Sequence, residues 1–288
     1  MLLRDNIKGA ALMTGAMAFH AFNMTFMKMA FEQVNFFQAI FLRGLVTIAL
    51  LMAIAAWRGE IIIKISPGNR TLLILRVIGE VGATVCFLSA LAHMPLANAT
   101  AILQSVPFVI TLGAVIFLKE YVGWRRWVAI SVGFFGVLMI VRPGTDSFDI
   151  RSLFVLLAVA LIVLRDLVTT KLTFEISAVY VSLMTAIVLT LITGLLAPMA
   201  AWKPVTVESF SLLASAATIL TFGYVCSVAT MRVGAISFIA PFRYSILLFA
   251  IFLGGVLFDE YPDALTLIGS VIIIGAGLYT IHREHRYR

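Results

Sequence analysis

Runs of about twenty apolar residues follow one another along this chain with almost nothing between them, and that pattern leaves it few ways to fold. Ten runs can be marked: Ile7–Phe31, Phe36–Ala56, Thr71–Ala92, Leu96–Leu118, Trp124–Val141, Ser152–Leu172, Ala178–Ala200, Phe210–Thr230, Ala235–Phe258 and Ala264–Ile281. A helix needs roughly 20 residues to cross the hydrocarbon of a bilayer, so ten crossings use about 200 residues and leave about 8 for each loop or tail. The longest polar stretch, Trp57 to Arg70, holds Pro67-Gly68-Asn69 and reads as a short loop. No soluble domain fits in what remains. Only 12% of the residues are charged, where a soluble domain carries about 25%, and the mean hydropathy is +1.07. A water-soluble core saturates with size, so this much apolar surface needs lipid. The first run is too long for a signal-peptide core and no small-residue cleavage pattern follows it, so it reads as an uncleaved first span. The expected fold is all-α and polytopic, with the lipid bilayer as its surroundings.

The net charge of +7 is no sign of nucleic-acid binding, because the basic residues sit in short loops where they set orientation. Of the 21 lysines and arginines, Arg43, Arg76, Arg165 and Arg243 lie inside spans. Lys28, Arg142, Arg151 and Lys203 fall on one side, and all the others on the side of the N-terminus. The positive-inside rule then places both termini in the cytoplasm of a cell (inner) membrane protein, in line with an even number of spans. Arg125 and Arg126 are expected inside, Lys203 and Asp263 outside. Cys86 and Cys226 lie in apolar runs and have neither disulfide-framework nor metal-site spacing.

The two halves of the chain echo each other. Asn23, Lys28 and Glu32 recur as Asp166, Lys171 and Glu175, displaced by 143. Lys119-Glu120-Tyr121 recurs as Asp259-Glu260-Tyr261, displaced by 140, and Cys86 and Cys226 share that displacement. The stretch from Gly136 to Arg142 resembles that from Gly277 to Arg283, displaced by 141. Four matches in order at a nearly constant displacement divide the chain into repeats 1–143 and 144–288. Each holds five spans, an odd number, so the second enters the membrane from the opposite side. Such inverted repeats are common in secondary transporters, where two similar halves can exchange conformations and open one site to either side in turn.

The residues that carry these repeats also resemble a known family. Phe41-Leu42-Arg43 stands early in the second span, Pro107 is followed by Leu118-Lys119-Glu120, and Gly133 and Gly136 come next. The second half offers Ala240-Pro241-Phe242-Arg243-Tyr244, Phe258-Asp259-Glu260 and Gly269. The sequence resembles the drug/metabolite transporter superfamily, specifically its ten-helix EamA-type members, over nearly its whole length. The resemblance implies a basket-like bundle around a central cavity and export or uptake of small organic metabolites. One departure is that Pro107 precedes Glu120 by 13 residues whereas Pro241 precedes Glu260 by 19. The two prolines are therefore not equivalent points of the repeat.

Charged groups inside a bilayer cost ~2.5–3.5 kcal/mol each on insertion scales and usually face the bundle interior. Besides the four arginines these are Glu80 and Asp166. Arg76 and Glu80 are four apart and can meet on one helix, as a structural pair or with a proton or gating role for Glu80. Arg165 and Asp166 project about 100° apart, so each is expected to seek a partner elsewhere or water in a cavity. Arg43 and Arg243 have no acid within a turn. Pro241 removes the amide that would bond the carbonyl of Ser237, and this kink, with Arg243, Phe242 and Tyr244, is the favoured substrate site. The competing reading pairs Arg243 with Asp166. Pro107 with Gln104 and Asn98 makes a comparable polar kink in the fourth span. His20 and Asn23 sit mid-membrane in the first, and His20 titrates near neutral pH. Tyr224 and Tyr180 offer rings for stacking or anchoring. Small residues on the fifth and tenth spans, Gly133 and Gly136, Gly269, Gly275 and Gly277, suit close packing between these two helices or a homodimer face. Glu120 and Glu260 read as caps or interface residues at equivalent loop ends.

No nucleotide-binding glycine loop with its lysine is present, and no catalytic triad, metal spacing or cofactor motif accompanies the spans. The function expected is a secondary transporter for a small metabolite, not an enzyme. Its substrate would carry a carboxylate or phosphate for the unpaired arginines and an aromatic or heterocyclic portion for Phe242 and Tyr244. Amino acids and vitamin- or nucleotide-like cofactors fit. The alternative is an intramembrane enzyme acting on a lipid-linked substrate, which would need a polar cluster near one interface.

Overall fold

A computed structural model describes residues 3–59, 67–118, 123–143, 148–169, 178–233 and 240–286. All regular structure among them is helical: α1 (Leu3–Gln33), α2 (Phe36–Arg58), α3 (Pro67–Leu91), α4 (Leu96–Leu103), α5 (Val106–Leu118), α6 (Trp124–Val141), α7 (Arg151–Thr169), α8 (Ala178–Leu196), α9 (Val207–Val233), α10 (Ser245–Phe258) and α11 (Ala264–Arg286). Short 3₁₀ turns cover Ala197–Met199 and Ala240–Tyr244. The pair α4 and α5 forms the fourth span. The second 3₁₀ turn and α10 are the described part of the ninth, which gives the ten spans expected.

Helix ends are set by local chemistry. Asn35 Oδ1 accepts the Phe37 amide at the start of α2, and Gly59 closes that helix in the left-handed conformation. Thr206 and Ser209 bond reciprocally at the start of α9, Thr206 Oγ1 accepting the Ser209 amide and Ser209 Oγ the Thr206 amide. Asp263 Oδ1 accepts the Thr266 amide at the start of α11.

Two spans depart from continuous helices. The fourth was expected unbroken over Leu96–Leu118 with a kink, but its helix stops at Leu103 and restarts at Val106. Pro107 has no amide to offer the preceding turn, so the chain passes Gln104 and Ser105 as a turn and the proline sits in the first turn of α5. In the ninth span Pro241 falls inside a 3₁₀ turn that gives way to α10 between Tyr244 and Ser245. The two proline positions differ, yet Gln104–Ser105 and Tyr244–Ser245 are separated by the same 140 residues as Glu120 and Glu260. The restart of helix in the fourth span and the change from 3₁₀ to α-helix in the ninth thus fall 140 residues apart although the prolines do not.

Packing follows a two-fold pattern. α1 lies along α9, and its counterpart α7 lies along α3. α2 packs on α8, α6 on α11 and α4 on α10, each joining corresponding spans of the two halves. These extensive contacts all cross from one half of the sequence to the other, so the halves interleave and are not two bodies side by side. α1 is enclosed by α9, α10 and the 240–244 turn, which explains why a span can carry Thr25, Asn23 and Lys28 buried on its faces. Helices facing lipid instead present exposed apolar side chains, such as Phe135 and Leu138 on α6 and Ile268 and Val271 on α11.

α6 and α11 approach closest at Gly136 and Gly269. A Cβ at Gly136 would lie 2.8 Å from the Gly269 carbonyl oxygen, and one at Gly269 would lie 2.7 Å from the Gly136 oxygen. The small residues therefore serve packing inside the chain, and a second copy meeting these helices would have to use their outward faces. Gly275, one of the same glycine set, has nothing within 4 Å of its Cβ position.

Two expected outcomes follow from this packing. Gly269→Ala forces a methyl against backbone and should cost about 1–3 kcal/mol, read as a lower melting temperature in detergent, whereas Gly275→Ala should be neutral or stabilising by up to about 1 kcal/mol from helix propensity. Equal melting of the two variants would contradict the close approach. At the start of α11, the Arg142 guanidinium bonds Asp263 and, with help from Thr266, holds its carboxyl at about 2 against an ordinary 3.8. A depressed carboxylate contributes stability above its unfolded value, and that contribution fades as pH falls from about 4 toward 2. The melting difference between wild type and Asp263→Asn should be constant above about pH 4 and shrink below it.

Candidate substrate site

The loop ends that alternation assigns to one side of the membrane do meet at one end of the bundle. Gln33 Nε2 donates to Glu208. Gln38 Nε2 donates to the Lys203 carbonyl, and its Oε1 accepts the Lys203 amide, at 2.7 and 3.1 Å. Lys28 pairs with Glu260, and Arg142 with Asp263. Sequence reading identifies Glu260 as a cap or interface residue, Lys28 as a repeat marker and orientation signal, and Lys203 as an orientation signal, with no partner for any of them. Gln38, fully buried, went unnoticed because a lone glutamine has no spacing that announces its partner. The Lys171 and Glu120 counterparts lie outside the described residues.

The intramembrane charges sort into two groups. In the first, Arg165 Nη1 donates to both oxygens of Glu80 at 3.0 Å, while Arg165 Nε donates to Asp166 Oδ1 at 2.8 Å. Arg76 stands 3.8 Å from Glu80, as the four-residue spacing predicts. The expectation that Arg165 and Asp166 could not satisfy each other is corrected here. The arginine side chain is long enough to fold its Nε over the neighbouring carboxylate and still send its fork across to α3. The helices permit this because α3 turns glycine toward α7: a Cβ at Gly79 would lie 3.0 Å from the Leu161 oxygen and 3.1 Å from Arg165 Cβ. All four side chains are partly exposed. Both membrane-embedded acids are therefore engaged by Arg165, and the pairing of Arg243 with Asp166 does not occur.

The second group surrounds the interrupted ninth span. α1 packs against the 240–244 turn, bringing Arg243 within electrostatic reach of His20. Phe19 and Ala16 of α1 abut Gly223 of α9, where a Cβ would come 3.7 Å from His20 Nε2. Arg243 is exposed and no acid among the described residues pairs with it. Phe242 beside it is also exposed, whereas Tyr244 is buried with its ring over α11, its hydroxyl occupying the place that a Cβ of Gly277 would take. Several buried polar atoms have no hydrogen-bond partner: Asn23 Oδ1 on α1, Arg43 Nε on α2, Asn98 Oδ1 and Ser105 Oγ at the fourth span, and Tyr244 Oη. Arg43 is only 7% exposed. Gln104 is half-buried in the break itself. The structure thus brings Arg243 toward His20 of α1, leaves Asn23 and Tyr244 without a hydrogen bond to either among the described residues, and sets Glu80, Arg165 and Asp166 apart between α3 and α7. The side chain of Tyr224 lies outside the described set.

Ten apolar helical spans define a polytopic membrane protein. Residues 7–142 match the EamA-like transporter family. The sequence is 30% identical over 197 residues to an S-adenosylmethionine uptake transporter of Rickettsia felis, an alignment covering 67% of this chain and 65% of that protein. The chain thus spans slightly less than two thirds of that relative's length. It is 30% identical to a riboflavin transporter of Brucella anthropi, covering 73% of this chain and 76% of the relative. A pseudopaline exporter of Pseudomonas aeruginosa is 28% identical over 70% of this chain and 72% of its own. One solved crystal structure superposes with a TM-score of 0.64 at 15% identity, covering 98% of this chain and 99% of the other, and shares the fold. The chain belongs to the EamA-like transporter family, within the drug/metabolite transporter superfamily.

The Arg165 network makes a graded prediction. Hydrogen bonds to charged groups contribute ~1.5–3 kcal/mol, less where solvent screens them. Asp166→Asn removes one partner and should cost about 1 kcal/mol, and Glu80→Gln, which removes two, about 2 kcal/mol. Melting curves in detergent that reverse this order would show that Glu80 does not anchor the pair of helices.

Proposed function

We propose that this protein is a secondary transporter that carries a small organic metabolite with an anionic group across the inner or plasma membrane by alternating access. The observation that carries this reading is the break of the fourth span and the 3₁₀-to-α transition at the corresponding place of the ninth, with an unpaired arginine at the second. Broken helices at corresponding places in two inverted halves supply free backbone groups at the depth where such transporters hold their substrates. Arg243 stands at the transition in the ninth span, exposed, with both intramembrane acids bonded elsewhere. A cation at this depth needs water or an anion, and a substrate carboxylate or phosphate fills that role. Arg43 adds a second positive charge without an acid, while Phe242 offers a ring to an aromatic portion. The relative named for S-adenosylmethionine fits this chemistry, its compound bearing a carboxylate and a heterocycle, while the one named for riboflavin shares the heterocycle but not the anionic group. We assign both termini to the cytoplasm on the loop charges. Exposed Trp57 and Trp124 at one end of the bundle, and Trp202 and Tyr261 at the other, suit the two interfaces. Repeats 1–143 and 144–288 supply matching helices to both sides of the site, so the moving bodies combine helices from each.

Uptake and binding of labelled metabolites in proteoliposomes test the reading. If Arg243 holds the anion by two parallel hydrogen bonds, Arg243→Lys keeps the charge and loses the fork. Affinity should fall by roughly 10- to 150-fold, the equivalent of ~1.5–3 kcal/mol, and further in Arg243→Gln. Analogues lacking the anionic group should bind wild type and variants alike. Equal affinity for the intact substrate in all three folded proteins would remove Arg243 from the site.

A further inference from the structure

Lys28 lies near the end of α1 and is 8% exposed. Its ammonium donates to Glu260 Oε1 at 2.5 Å and to the Met94 carbonyl at 3.0 Å, and it sits 4.9 Å from the centre of the Phe258 ring. The other oxygen of Glu260 accepts the Leu96 amide at 3.0 Å. Leu96 opens α4, whose preceding residue, Pro95, supplies no side-chain cap, so the carboxylate also satisfies a free helix N-terminus. The turn that carries Glu260 folds back on its own helix, Asp259 adopting the left-handed conformation and the Glu260 amide bonding the Gly254 carbonyl. One ion pair therefore fastens three elements at the same end of the bundle: α1, the turn leading into α4 and the turn leaving α10.

The other bonds at this end differ in kind. Gln33–Glu208 links α1 to α9, and Arg142–Asp263 joins the end of α6 to the start of α11, helices already packed along their lengths. α1 and α4 share no such extended packing, and among the described residues Lys28 and its partners make the polar tie between them. Deeper on both helices lie buried polar atoms without partners: Asn98 Oδ1, two residues beyond Leu96, and Asn23 Oδ1, five residues from Lys28, about 7.5 Å along α1 and about 140° around it. Beyond Asn98 is the break at Gln104–Ser105. A clasp on the mouth of a path along the start of α4 would leave Asn98 dry while it is shut.

We propose that the Lys28–Glu260 pair is the outer gate of the transport path, shut in this structure, and that its rupture opens a route along the start of α4 to Asn98. This rests on the alternating-access reading above. Glu260 is suited to the task because one carboxylate holds two elements at once. When it lets go, α1 and the start of α4 are both released. The basic-residue count assigns this end to the outside, so the route opens away from the cytoplasm.

The test uses the full-length protein in sealed, right-side-out vesicles with a cysteine at Asn98 as the reporter and Cys86 and Cys226 replaced by serine. A membrane-impermeant maleimide applied from outside should label Asn98→Cys slowly in this background. In Lys28→Met or Glu260→Gln it should label about tenfold faster, because loss of the tie shifts the population toward the open form. Unchanged labelling in both variants, each shown folded by its elution and melting in detergent, overturns the gate. Labelling needs no substrate. If wild type fails to transport yet labelling responds, the gate stands and the substrate reading falls. If wild type transports and labelling does not respond, the gate falls alone. Should the variants not fold, Lys28→Cys with Glu260→Cys joined by a short cleavable bis-maleimide provides the second measurement. Bridging should abolish uptake and cleavage should restore it, and uptake that continues through the bridge overturns the gate.

Discussion

A charge inside a bilayer has to be answered by another charge, a carbonyl or water, and in this chain the answers are unevenly shared. There are four arginines and two carboxylates within the spans, and Arg165 takes both carboxylates. That single side chain decides the roles of the rest. It binds α3 to α7 at the glycine contact, shares Glu80 with Arg76, and leaves Arg43 and Arg243 with no acid to neutralise them. A cluster that had divided its acids among the arginines would have made a stable bundle with nothing to offer a ligand. The arrangement here concentrates the electrostatic satisfaction between one pair of helices and leaves the deficit at Arg43 on α2 and at Arg243 in the ninth span.

The same asymmetry shows against a symmetric scaffold. α1 with α9 and α7 with α3 are corresponding pairs, and both close on a glycine, Gly223 in one and Gly79 in the other. Asp166 in the charged pair corresponds to Asn23 in the uncharged one. The substitution of an amide for a carboxylate at equivalent depth turns an ion-pair anchor into a polar group without a partner. One pair of helices is thereby locked by charge, while the other packs through Phe19, Ala16 and the Phe19–Phe222 ring contact. The two-fold arrangement supplies two similar bodies, and the side chains decide which surface of them is free to meet a solute.

Most of the architecture was legible in the sequence because the bilayer enforces it. Span length is imposed by lipid, so the ten helices emerged with ends within a few residues of those read from the apolar runs. The close contact of the fifth and tenth spans was legible from Gly136 and Gly269. What escaped was set by tertiary reach. The rule that neighbours on a helix point apart describes Cβ directions, and Arg165 defeats it with a side chain long enough to turn back to Asp166. The proline spacings, 13 and 19 residues ahead of Glu120 and Glu260, pointed away from corresponding places in the two spans. A proline in the first turn of α5 and one inside a 3₁₀ turn interrupt the ladder on different sides of the same point. Gln38 and Lys28 find partners 165 and 232 residues away, distances over which no local pattern operates.

The polar groups that sequence reading grouped as one functional set prove to be separable by what they touch. Glu80, Asp166 and Arg165 are bonded to one another and act on the packing of α3 against α7. His20 and Arg243 lie together at the interrupted span, with nothing in the protein to pair the arginine. Lys28 and Glu260 tie α1 to the turns flanking α4 and α10 at one end of the bundle. A transporter needs a rigid element, a place for the solute and a closure that can be undone, and these requirements conflict if one network serves all three. An ion pair strong enough to anchor helices would resist opening, and a cation free to hold a substrate cannot also be spent on an anchor. Distributing the arginines and the acids over three separate places lets each bond be as strong or as breakable as its own position demands.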